Sequence, residues 1–128
     1  MKKILLLTVF ALCIGAASAQ EKAKVFIYRS TGFAGSAAKA KINIDKQTCK
    51  IGNNNFMEIK LDADTYFFST HKGHKPVKIE LEAGKIYYFD LRIETGFWSG
   101  HYVISEITER AANQYLENPK MEEVPDCF

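Results

Sequence analysis

The sequence predicts an all-β domain: an antiparallel sandwich of about seven to eight short strands, followed by one short C-terminal helix. Three observations predict it. Apolar and polar residues alternate with a period of two in several short runs, turn-forming residues recur between those runs, and the composition is that of one compact domain: 47% hydrophobic and 12% aromatic, with only Pro 3 and Gly 8. No run alternates a strand with a long helix, which excludes a parallel nucleotide-binding sheet.

Residues 24–30 are apolar, β-branched and aromatic, and fit a first strand covered in part on both faces. Residues 31–38 are small and Gly-containing, hence a loop. In residues 40–45, Ile42 and Ile44 face one way and Lys41, Asn43 and Asp45 the other. A polar turn over residues 45–48 leads to a short return strand at 49–51, and the Gly52-Asn53-Asn54-Asn55 turn tolerates positive φ. Alternation resumes at 56–61, with Met57, Ile59 and Leu61 inward, and an aromatic strand at 65–70 carries Tyr66, Phe67 and Phe68. Residues 77–82 place Val77, Ile79 and Leu81 against Lys78, Glu80 and Glu82. Gly84 then supplies a left-handed turn before a long strand at 86–93. That strand directs Tyr87, Phe89, Leu91 and Ile93 inward and Tyr88, Asp90 and Arg92 outward. A last strand follows at 102–107. Thr108 caps a helix over 109–117, with Ala111, Ala112, Tyr115 and Leu116 on one face and Pro119 beyond its end. The domain spans residues 20–118, and the polar tail 119–128 is loose unless Cys127 ties it down.

The first residues have the three parts of a secretory signal peptide: Lys2-Lys3, an apolar run from 4 to 17, and Ala17-Ser18-Ala19 before the cleavage point. The run is too short to span a bilayer, so no transmembrane segment remains after cleavage. Cys13 follows the bulky Leu12, unlike an acylated cysteine, so lipid anchoring is not expected. The expected compartment is periplasmic or extracellular. There Cys49 and Cys127, the two thiols outside the leader, either pair or stay separate. Without its two lysines of leader, the chain is charge-balanced, which offers no drive toward nucleic acid.

Chemistry-bearing patterns are sparse. His71 and His74 sit in a turn between Lys72 and Lys75, His101 is remote, and no Cys or carboxylate stands at ligand spacing; neither metal nor cofactor is expected. Ser36 lacks the Gly-x-Ser-x-Gly elbow of a hydrolase. Asp90 and Glu94 share a strand face with Arg92 between them, which reads as a charge-balanced, solvated surface. Two glycine-flanked aromatic segments stand out instead: Gly32-Phe33-Ala34-Gly35-Ser36-Ala37 and Gly96-Phe97-Trp98-Ser99-Gly100. Their rings either plug the end of the sandwich or form a patch that binds a peptide, a glycan or an envelope protein.

With Glu82-Ala83-Gly84-Lys85-Ile86-Tyr87-Tyr88 between them, these segments resemble the bacterial domain-of-unknown-function family numbered 2846. The likeness spans about residues 23–116. It implies an exported or lipid-anchored envelope protein with a β-sandwich of the prealbumin or immunoglobulin-like kind. The family carries no known activity, so no catalytic residue transfers. The resulting expectation is a non-enzymatic accessory or binding module of the cell envelope, with Phe33, Phe97, Trp98 and Tyr102 as its contact residues. One alternative is a structural component that pairs through an edge strand in an envelope assembly. The other is a small hydrolase, which requires Ser36 or Ser99 near His101.

Overall fold

The structure, a computed structural model, describes residues 21–31, 38–70, 75–95 and 100–128. These residues form two sheets and one short helix. The five-stranded sheet has the order β8-β7-β1-β4-β9, and the four-stranded sheet has the order β3-β2-β5-β6. In chain order the elements are β1 (Ala23–Arg29), β2 (Ala40–Ile44), β3 (Gln47–Ile51), β4 (Asn55–Leu61), β5 (Thr65–Ser69), β6 (Val77–Glu80), β7 (Ile86–Thr95), β8 (Gly100–Ile107), α1 (Glu109–Leu116) and β9 (Glu122–Val124).

The two sheets share one core because the period-2 alternation turns an apolar face of each toward the other. Val25, Ile27, Met57, Ile59, Phe89 and Leu91 from the first sheet meet Ile42, Ile44, Cys49, Ile51 and Phe68 from the second in one buried cluster. Phe68 and Phe89 pack with ring centroids 5.4 Å apart. Turns fall where the residues permit them: Asp45, Asn54 and Gly84 take φ of 51°, 54° and 75°. At Gly84 a side chain would also run into the carboxylate of Glu21, 2.9 Å from an added Cβ.

Several expectations need correction. The sandwich is not purely antiparallel, since β1 runs parallel to β7, and β9 parallel to β4. Alternation specifies which face a residue takes but not the direction of its neighbour. The first hairpin is also tighter than a turn over 45–48. Ile44 pairs with Gln47, so Asp45 and Lys46 alone make the turn. Val77 has the inward parity of Ile79 but is 46% exposed, because it lies at the open end of its strand.

Thr108 caps α1 as expected, its Oγ1 accepting from the Ala111 amide at 3.2 Å. Ala112 is buried and Tyr115 half-buried, whereas Leu116 is exposed at 48% and does not join the docked face. The tail supplies a ninth strand among the described residues. β9 pairs with the start of β4, and Cys127 is bonded to Cys49 across a Cα–Cα distance of 5.4 Å, inside the ordinary disulfide range. Because β3 borders one sheet and β9 the other, the bridge ties the two sheets together at that edge. No helix among the described residues is long and apolar enough to cross a membrane.

Candidate functional site

Of the four expected contact residues, Phe33, Phe97 and Trp98 lie outside the described residues, as do Ser36, Ser99, His71 and His74. Tyr102 is described, and it is half-buried rather than presented to solvent. Its hydroxyl accepts a hydrogen bond from Arg29 Nη2 at 2.7 Å, its ring lies 5.0 Å from the Arg29 guanidinium carbon, and its carbonyl accepts from Thr70 Oγ1 at 2.5 Å.

Arg29 closes β1 and is fully buried. Its Nη1 donates to the carbonyls of Ala38 at 2.8 Å and Ile51 at 2.7 Å. One guanidinium therefore joins four stretches of chain from the two sheets, at the point where the chain crosses from β3 to β4. Burial draws its pKa below the usual guanidinium value, and Tyr102 acts in the opposite sense. The sequence held a signal for this residue: Val25, Ile27 and Arg29 share one parity, so the charge had to point inward.

The outer face of the five-stranded sheet carries a second polar constellation. Tyr28 is adjacent to Asp90 in the β1–β7 register, and both point away from the sandwich core. They would face water were α1 not laid across them. Tyr115 of that helix stacks on Tyr28 with centroids 5.6 Å apart, and Phe56 stacks on Tyr28 at 5.4 Å. The Tyr115 hydroxyl donates to Asp90 Oδ2 at 2.8 Å, and Arg92 Nε lies 3.4 Å from Oδ1. Asp90 is thus buried, not part of a solvated surface. The solvated reading failed because strand parity cannot show that a helix some 20 residues downstream returns over that face.

Between α1 and the sheet lies a cavity of about 430 Å³, lined by Ser30, Asp90, Arg92, Ile107, Ala111, Gln114, Tyr115 and Asn118. That volume is within the range of small-molecule sites. Its wall combines a carboxylate, a guanidinium, two hydroxyls and two amides with apolar side chains, a set suited to orienting a polar molecule. No cluster of three or more His, Cys, Asp or Glu among the described residues is arranged to hold a metal.

The phenols beside the cavity make the site sensitive to alkali. Burial is the main cause that pushes Tyr28 up to about 12, with Tyr88, Glu123 and Glu58 adding to it. Burial likewise pushes Tyr115 up to about 12, helped by its hydrogen bond to Asp90. Both pKa values rise on folding, so the stability they contribute is complete below the ordinary value of 10.0 and is lost as pH climbs toward about 12. Urea midpoints are expected to hold steady up to about pH 9.5 and fall above it, and the fall should be shallower in Tyr115→Phe. A flat profile through pH 12 would disprove the burial of these hydroxyls.

No curated protein matches the chain. A family match covers residues 19–103, which take in β1 to β7 and the start of β8. Asp90, Arg92 and Arg29 fall inside the matched range, while α1, β9 and Cys127 fall beyond it. The matching family is described as a protein of unknown function, DUF2846, and with most of its length inside that match the chain belongs to this family.

Proposed function

We propose that the protein is an exported, non-enzymatic accessory or binding module of the bacterial cell envelope, working in the periplasm. Its two-layered β fold is of the prealbumin or immunoglobulin-like kind. The cavity beneath α1 carries the reading. Its carboxylate is already engaged by Tyr115 and Arg92, an arrangement that orients a bound partner rather than one that leaves a base poised to take a proton. The Cys49–Cys127 pairing lends support to export, since bridges of this kind persist in oxidising compartments. The signal-peptide pattern points the same way. Phe33, Phe97 and Trp98 remain candidates for contact, but the reading does not rest on them.

The test is cell fractionation of the full chain. The periplasmic fraction is expected to hold a form beginning at Gln20, which cosediments with isolated cell-wall and membrane material. A full-length form confined to the cytosol would overturn export, and failure to cosediment would overturn the binding role.

A second reading, strand addition in an envelope assembly, is favoured by one observation. Among the described residues, β8 is paired on one side only, to β7, and leaves an eight-residue edge. Amide exchange that slows along β8 on envelope binding, with no change around α1, is the result that selects it.

A further inference from the structure

Two hollows of opposite charge lie side by side on the outer face of the five-stranded sheet and share one side chain, Lys60. The first, of about 410 Å³, sets Lys22, Lys24 and Lys60 against a single carboxylate, Glu21. The second, of about 530 Å³, sets Glu58, Glu123 and Asp126 against Lys60 alone. Lys22 lies 3.9 Å from Asp62, whereas Lys24, Lys60, Glu58 and Glu123 form no ion pair among the described residues. Lys24 also stands directly opposite Lys60 in the β1–β4 register, and like charges so placed are destabilising. Beside them, Phe26 and Tyr88 stack with centroids 5.6 Å apart yet are only half-buried, and Ile86 is 49% exposed. α1 packs on the row beyond, at Tyr28 and Asp90. An apolar band rimmed by charge is the usual form of an interaction surface.

We propose that this face docks a second copy of the chain, in a two-fold arrangement that sets the lysine hollow of each copy against the carboxylate hollow of the other. A two-fold contact uses the same patch on both partners, so a patch carrying both signs side by side is its own complement. Association relieves the Lys24–Lys60 repulsion and covers Ile86 and the Phe26–Tyr88 stack. The charge balance of the chain without its leader means that two copies do not repel at long range. An anionic bilayer fits less well, because headgroups drawn to the lysines would be repelled by the three carboxylates next to them. With few apolar side chains in the patch, the dimer is weak and reversible, with a dissociation constant of about 10–100 μM. The inference stands apart from the cavity beneath α1 and from the binding role proposed for it.

The experiment is sedimentation equilibrium of the oxidised protein as isolated from the cells that make it, up to about 200 μM. The mass at low salt is expected to approach twice that of one chain, and to fall back toward one as NaCl rises from about 20 mM to about 500 mM. Lys24→Glu and Glu123→Lys should each raise the dissociation constant by about tenfold. Lys24→Glu removes the repulsion with Lys60, so its effect cannot be put down to a damaged fold. The double variant, which exchanges the two signs, should return to within about threefold of the parent protein. A monomer at every concentration overturns the proposal, as does a dimer indifferent to both single substitutions or a double variant that fails to recover. Lys24-dependent binding to phosphatidylglycerol vesicles without any dimer also overturns it, and assigns the lysine hollow to a membrane surface.

Discussion

Arg29→Ala is expected to be the most damaging single substitution in the domain, lowering stability by about 3–5 kcal/mol. The substitution removes the side chain that links the end of β1 to Ala38, Ile51 and Tyr102. The buried Ile51 carbonyl then loses this donor, the Ala38 carbonyl and the Tyr102 hydroxyl lose theirs at the partly buried edge of the site, and a cavity of guanidinium size opens beside them. Arg29→Lys should recover little, because an ammonium on a flexible stem cannot reproduce a planar fork aimed at partners on two sheets. Arg29→Met separates the two contributions. It restores volume without donors, so whatever loss remains measures the hydrogen bonds. Urea denaturation of the three variants reads the result. A loss within about 0.5 kcal/mol for Arg29→Ala, the range of ordinary surface changes, would mean that the fork does not hold the end of the sandwich.

Breaking the Cys49–Cys127 bridge is expected to cost about 4 kcal/mol on the chain-entropy account, since it closes a sequence separation of 78 residues. For a domain of this size the thermal midpoint should drop by roughly 20 °C. The same loss is expected from Cys127→Ser and from a reducing agent, and the two treatments together should cost no more than either alone. β9 should be the first element affected. It has only three residues and pairs with a single strand, and Gln47 Nε2, which donates to the Cys127 carbonyl at 2.5 Å, is exposed. Amide exchange along Asn55, Phe56 and Met57 should quicken on reduction before exchange in β1 or β7 does. An unchanged thermal midpoint after full reduction would show that the crosslink adds nothing the two sheets lack.

The period-2 runs carried the core. Ile42, Ile44, Met57, Ile59, Phe89 and Leu91 are buried with the parity their alternation requires. The cap at Thr108 and the left-handed turn at Gly84 were equally legible, because each depends on a few neighbouring residues. What eluded sequence reading depends on distant chain. The parallel β1–β7 pairing joins segments some 60 residues apart, and alternation is blind to strand direction. Asp90 looked solvated because the residues that cover it arrive on α1. The bridge partner of Cys49 was open for a related reason: nothing near either cysteine fixes the distance between them. Arg29 is different, since its inward parity was visible and only its charge argued against a buried position. A charged residue that continues an apolar parity is therefore worth following inward before it is assigned to the surface.

The position of β1 at the centre of its sheet has a consequence for assembly. Both of its neighbours are made later, β4 from Asn55 onward and β7 from Ile86 onward. As the polypeptide emerges from the ribosome, an apolar strand with two open edges must wait for most of the chain, and its parallel partner is the last of the pair to appear. Topology of this kind slows folding and leaves the nascent chain prone to stray association. A chain that closes its central strand this late also stays extended for longer, the condition that passage through a narrow translocation channel requires if the export proposed above holds.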